Sequence, residues 1–247
     1  MITDPLLTVT DVSVAFHQYV GLLRRRHVVQ LDNVSMDLAA GEILAVVGAS
    51  GAGKSLLADV ILGLLPPNAH VSGEVRFHGR ELVDADRKGR VRYVPQGTGH
   101  IDPTMKIGDF IALSGSDPIA QLARFGLGPE IATRFPHELS GGMLRRVSLA
   151  ASVSDDMELL IADEPTPGLH PEAVTEVTDY FRQVRTDGAS ILFITHDMIT
   201  AASVADRITV MRDGTIDTVA AGVDELTGYA RQLWRAQPAH DFWEALS

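Results

Sequence analysis

The chain has 247 residues, a formal net charge of −11, 45% hydrophobic and 21% charged residues, and no cysteine. That length buries a full core, the acidity opposes nucleic acid or anionic lipid as a primary partner outside a local basic patch, and the lack of cysteine excludes disulfides, thiolate metal sites and iron–sulfur clusters. No uncharged apolar run approaches the ~18–20 residues that span a bilayer, and the start Met1-Ile2-Thr3-Asp4-Pro5 is not a signal peptide, so any membrane role is expected to be peripheral.

Leu6 to Phe16 alternates apolar and polar residues imperfectly and reads as a strand pair or one bent strand. Arg24-Arg25-Arg26 reads as a solvated hairpin tip, and Val28 to Leu38 is a second strand region closed by Ala39-Ala40-Gly41. The continuous apolar run Ile43 to Val47 is a strand, followed by Gly48-Ala49-Ser50-Gly51-Ala52-Gly53-Lys54-Ser55 and a helix from Leu56 to Leu65, stopped by Pro66-Pro67. Val71 to Gly79 is a strand and turn, and Arg90 to Pro95 a short strand that leads into Gln96. From Gly97 to Ser154 the pattern is helical, with breaks at Gly126, Gly128-Pro129 and Pro136. Strands and helices then alternate: Leu159 to Ala162, a helix from Pro171 to Arg185, Ser190 to Ile194, a short helix from Asp197 to Ala205, a hairpin of Arg207 to Met211 and Thr215 to Ala220, and an amphipathic helix from Val223 to Ala236. The expected fold is α/β, a sheet core interrupted by a helical insertion, in one domain. Residues 1–96 and 155–222 form the sheet core, 97–154 a helical insertion subdomain and 223–247 a C-terminal helix.

The spacing Gly48-x4-Gly53-Lys54-Ser55 between a strand and a helix is the phosphate-binding P-loop. Its glycines let backbone N–H groups turn toward phosphate oxygens, and the helix behind points its positive end at the same anion. Lys54 would reach the β- and γ-phosphates and Ser55 would bind Mg²⁺. Lysine occurs only at positions 54, 88 and 106 in a chain that otherwise writes arginine, and a compact ammonium fits a tight backbone nest where a planar guanidinium does not.

Gly48, Gln96, Asp163-Glu164 and His196 each stand just beyond an apolar strand. Ligands of open parallel sheets bind at the carboxyl ends of the strands, so parallel neighbours would bring all four features to one edge. There Asp163 would hold Mg²⁺, Glu164 would polarise a water for attack on the γ-phosphate, Gln96 would touch Mg²⁺ or that water, and His196 would donate to the γ-phosphate or orient Glu164. Leu139-Ser140-Gly141-Gly142-Met143 lies apart in the helical stretch and has two readings: a helix start capped by Ser140, or a second phosphate cradle of open Gly141-Gly142 N–H groups, which for a single nucleotide suggests a site shared between two subunits.

Gly48–Ser55, Gln96, Leu139–Met143, Leu159–Glu164 and His196, in this order, resemble the ATP-binding subunit of ABC transporters over nearly the whole chain. The resemblance implies an α/β fold, a P-loop NTPase core of mostly parallel sheet with an antiparallel N-terminal β subdomain, and ATP and Mg²⁺ as ligands, held between the P-loop (through Leu56) of one chain and the signature Ser140, Gly141 and Gly142 of another. It makes Glu164 the catalytic base, His196 the switch histidine, and Phe16 the aromatic that stacks on adenine, with Tyr19 second. Ile101–Gly108, Glu138–Met143 and Gly228–Trp234 resemble the peptide, nickel and opine-metallophore import subfamily. Lacking a Cys-rich tail, the chain looks like the shorter nickel- or opine-type subunits. The resemblance further implies a transmembrane permease whose coupling helix meets residues Gly97 to Met105, an extracytoplasmic substrate-binding protein, and a place on the cytoplasmic face of the inner membrane. His170, where the family commonly has Asp, suggests an unequal pair of sites in a heterodimer, or equally a tolerated loop substitution. A soluble ABC-type ATPase acting on nucleic acid or ribosomes and a P-loop kinase are the competing classes. Acidity, the single nucleotide-binding domain and the lack of a coiled-coil insertion oppose the first, and Leu139–Met143 is unexplained by the second.

Overall fold

The structure is a computed structural model that describes the backbone of residues 5–20, 24–154 and 156–237, and the side chains of these residues except 18–20 and 24–27. β1 (Leu7–Val20) and β2 (Arg24–Leu38) pair antiparallel, with Arg24 to Arg26 opening β2. The imperfect alternation of the first strand has a physical cause. The register slips between Val9 and Val12, and Asp11 takes a positive φ of 50°. One extra residue in a strand restores the inward face beyond it, so Val9, Val12 and Val14 are all buried despite their odd spacing.

β3 (Ile43–Val47) and α1 (Lys54–Leu62) flank the glycine loop. The helix begins two residues earlier than the pattern predicts and ends three earlier, because Gly63 takes a left-handed φ of 68° and its N–H turns back to Val60 O while Leu64 N–H reaches Asp59 O. β4 (Ala69–Phe77) and β5 (Arg80–Glu81) complete the first sheet, in the order β2-β1-β4-β5. α2 (Asp84–Gly89) follows, then β6 (Val91–Val94). The helical stretch is α3 (Ile107–Ala112), α4 (Pro118–Arg124), two 3₁₀ turns (Pro129–Thr133, Pro136–Glu138) and α5 (Gly141–Ala151). β7 (Leu159–Asp163), α6 (Pro171–Thr186), β8 (Ser190–Thr195), α7 (Met198–Val204), β9 (Arg207–Arg212) and β10 (Thr215–Ala220) return to the sheet core. At the end, a 3₁₀ turn over Val223–Glu225 and a separate α8 (Gly228–Arg235) replace the single helix expected from Val223. Leu226 and Thr227 are extended between them, and residues 238–247 of the expected 223–247 helix lie outside the described residues.

The second sheet runs β10-β9-β3-β8-β7-β6, parallel throughout except for the edge strand β10. β3, β7 and β8 are buried at every residue, as strands covered on both faces must be. Along β3 the side chains divide with period two. Ile43, Ala45 and Val47 join the core under α6, α7 and the helical insertion, whereas Leu44 and Val46 join the core shared with α1 and the first sheet.

The short polar elements β5 and α2, which carry no apolar period, are fixed by one carboxylate. Asp86 is 4% exposed, accepts a fork of two bonds from Arg80 (2.7 and 2.8 Å) and takes a third from Arg90 (2.6 Å). These cations hold its carboxyl well below the ordinary value of 3.8. A depressed folded-state pKa contributes stability above the unfolded pKa and loses it as pH falls. Asp86→Asn is therefore expected to destabilise the chain by about 2 kcal/mol at pH 7, a gap that narrows toward pH 2 in urea unfolding. A gap independent of pH would contradict this assignment.

Candidate functional site

The loop after β3 folds as it does because its glycines meet backbone on close terms. A Cβ on Gly48 would overlap the Met211 carbonyl oxygen of β9. Gly51 and Gly53 take φ of 82° and 100°, and a Cβ on Gly53 would press on Leu31 of β2. Gly48→Ala is accordingly expected to cost about 1–3 kcal/mol in urea unfolding. An unchanged midpoint would show that the loop has room to shift.

Lys54 opens α1 and is 6% exposed. Its Nζ donates to the carbonyls of Gly48 (2.9 Å) and Ala49 (3.1 Å), so the ammonium is curled into its own loop. Burial holds its pKa below the ordinary lysine value, against the opposing pull of the Glu164 and Asp163 carboxylates. Asp163 ends β7 and is 1% exposed; its Oδ1 is buried with no hydrogen-bond partner among the described residues. Burial raises its carboxyl above the ordinary range, while a hydrogen bond from the Ser55 hydroxyl pulls the other way. An orphaned carboxylate oxygen beside a hydroxyl at the foot of an anion-binding loop fits a hard divalent cation, with the remaining ligands supplied by a bound phosphate and water. Tyr93 of β6 also meets Asp163, and burial followed by this carboxylate pushes its phenol well above its ordinary pKa.

Glu164, one residue past the strand, is 6% exposed and takes a φ of 49°. Left-handed backbone at a non-glycine residue is disfavoured by of order 1–3 kcal/mol and persists where several contacts impose it. Its N–H donates to Ile194 O (2.9 Å). Its Oε1 lies 2.8 Å from His196 Nδ1, and Thr195 Oγ1 reaches its Oε2 at 3.5 Å. With Nδ1 protonated, the imidazole orients the carboxylate.

The strand order explains the convergence. β3, β8, β7 and β6 are adjacent and parallel, so the residues following each arrive at one edge. A cavity of about 610 Å³ opens there, lined by the glycine loop with Lys54, Ser55 and Leu56, and by Gln96, Glu164 and His196. Asp163 stands behind Ser55 rather than on the cavity wall. Gln30 of β2 and Leu233 and Gln237 at the C-terminal end also line it, and no local motif marks these three.

Other predicted residues lie elsewhere. Phe16 is half-buried against the core of the first sheet and does not line this cavity, and the side chain of Tyr19 lies outside the described residues. Ser140 caps α5, accepting from Met143 N–H at 3.3 Å. Ser140, Gly141 and Gly142 do not line the cavity of their own chain. Nothing among the described residues demands glycine there: neither position has a positive φ, a Cβ on Gly141 would meet none of their atoms within 4 Å, and one on Gly142 only Leu169 at 4.0 Å. Glycine in a first helical turn is less stable than alanine, so two in succession suit close approach of something outside the chain. His170 is exposed at the N-cap of α6 and makes no capping hydrogen bond.

Residues 31–167 match the ABC transporter family. The chain is 35% identical over 267 residues to the peptidoglycan transport ATP-binding protein YejF of Agrobacterium fabrum, covering 96% of this chain and 48% of that protein. It is 35% identical over 247 residues to the oligopeptide transport ATP-binding protein OppD of Mycobacterium bovis, covering 90% and 39%. The chain thus spans about half or less of the length of these relatives. The fold matches the dimeric structure of MJ0796, a bacterial ABC transporter cassette, with a TM-score of 0.76 and 22% identity over 90% of this chain and 100% of that one.

Proposed function

This chain belongs to the ABC transporter family, and on that premise we propose that it binds ATP with Mg²⁺ and hydrolyses it to drive a membrane importer. The observation that carries the reading is the meeting of the glycine loop, Gln96, Glu164 and His196 on one cavity at the ends of adjacent parallel strands.

The loop amides and Lys54 bind the phosphates. Lys54 Nζ exchanges the Gly48 and Ala49 carbonyls for phosphate oxygens, a charge-assisted replacement for two neutral bonds. Ser55 and Asp163 would hold Mg²⁺, which neutralises charge on the β- and γ-oxygens when bound. Gln96, on the same cavity, would help hold the cation or the attacking water. Glu164 orients that water and takes its proton as the oxygen joins the γ-phosphorus and the bond to the β,γ-bridging oxygen breaks, leaving ADP and phosphate. His196 holds the Glu164 carboxylate in place. Leu233, Gln30 and Gln237 face the nucleotide. Phe16 as an adenine platform would require it to leave its packing on the first sheet.

A second cassette completes the site, presenting its own Ser140–Gly142 equivalents to the γ-phosphate. The glycines with no partner of their own and the dimer formed by the related MJ0796 cassette support this. We propose that the second cassette is a different chain, with His170 marking an unequal pair of sites. The membrane permease docks on residues Gly97 to Met105; Asp102, Thr104 and Met105 of that segment line a cavity of about 390 Å³ with Lys106, Asp109 and Phe135. Among the described residues no helix is long and apolar enough to cross a membrane, and we place the chain peripherally on the cytoplasmic face of the inner membrane. An extracytoplasmic binding protein would deliver the cargo. The relatives named for oligopeptide and peptidoglycan transport favour a peptide, with nickel or a metal-chelating opine as the other members of the class. Purification of the complex from native membranes tests the assembly. A permease, a second cassette of different sequence and a ligand-loaded binding protein are expected. Recovery with ribosomes or nucleic acid in place of a permease would overturn it.

A further inference from the structure

We propose that Arg145 is a positioning residue for Glu164: from the helical insertion it pins the backbone of the turn that carries the base. The inference rests on the reading of Glu164 given above.

Arg145 lies on α5, and its guanidinium crosses from the insertion to the sheet core. Nη1 donates to the Glu164 carbonyl at 3.3 Å and Nη2 to the Pro167 carbonyl at 3.4 Å. One planar fork therefore spans both ends of the turn after β7. Glu164 keeps its left-handed φ of 49° through holds on each of its groups: the amide on Ile194 O, the carboxylate on His196, and the carbonyl on Arg145. The first two come from β8 and its end. Arg145 is the hold that comes from the insertion.

The chemistry suits the task. The half-buried guanidinium ends on carbonyl dipoles rather than on a carboxylate, and burial lowers its pKa while the Glu164 carboxylate acts to raise it. A guanidinium can give separate N–H groups to two carbonyls in a fixed geometry; an ammonium is a point donor without that fork. One helical turn further on, Ser148 Oγ meets Nε2 of His100 at 3.1 Å. His100 belongs to the segment that follows Gln96, and the Arg145 charge adds to burial in lowering its pKa. The signature helix thus meets the base-bearing turn through Arg145 and the loop after Gln96 through Ser148.

Two measurements test this. In the full chain without nucleotide, Arg145→Gln is expected to speed amide exchange of a peptide spanning residues 163–169 by about tenfold, with peptides from β3 unchanged. In the complex, kcat is expected to fall about tenfold while KM for ATP stays the same, and Arg145→Lys, which keeps the charge should the neutral variant fail to fold, is expected to lie between. Parent-like exchange at 163–169, or faster exchange with an unchanged kcat, would overturn the proposal. If Glu164→Gln loses turnover while Arg145→Gln keeps it, only this inference falls. Full turnover in Glu164→Gln removes the base assignment and this inference with it.

Discussion

Glu164→Gln is expected to lower steady-state ATP turnover of the assembled complex by about 10³-fold, within the range for loss of a general base, and to leave ATP affinity within a few fold. The substitution is nearly isosteric, so the buried side chain keeps its place, and an amide oxygen still accepts from His196 Nδ1. What disappears is a carboxylate able to take the proton of the attacking water. Affinity survives because the glycine loop, Lys54 and Ser55 stand on α1 and its approach, not on the turn after β7. Single-turnover hydrolysis and nucleotide titration on the same sample separate the two effects. Parent-level turnover would remove Glu164 from the mechanism.

Lys54→Ala is expected to act on binding itself. The ammonium is the buried cation of the loop, and in a nucleotide complex it trades two neutral carbonyl bonds for bonds to charged oxygens. Charge-assisted bonds of this kind contribute about 1.5–3 kcal/mol, which corresponds to a loss of about 10- to 100-fold in affinity. Turnover should fall further, since the same cation balances charge as the γ-phosphate departs. Fluorescent-nucleotide titration of the free chain checks the first effect. An affinity within twofold of the parent would mean that Lys54 stays on its carbonyls when nucleotide binds.

Much of this site is legible in the sequence because its signals are local. A five-residue apolar run before glycines specifies strand, loop and helix together, and an acid directly after Leu159–Ala162 marks the end of a buried strand whatever surrounds it. The convergence of Gln96, Glu164 and His196 follows once the strands are parallel neighbours. The rest depends on tertiary placement. Arg145 looks like any arginine on the polar side of a helix until α5 is laid against the turn after β7. Gln30, Leu233 and Gln237 come from distant parts of the chain and carry no pattern. β5 and α2 have no apolar period because a buried carboxylate rather than a core face holds them. The aromatic at position 16 is an apolar member of an alternating strand, and packing on the first sheet accounts for it here.

The sharing of one nucleotide between two cassettes is tested most directly by a structure of the ATP-loaded complex carrying Glu164→Gln in this chain. Ser140, Gly141 and Gly142 are expected to contact the terminal phosphate of the nucleotide held by the other cassette's glycine loop. A loaded complex in which these three residues touch no phosphate would contradict it.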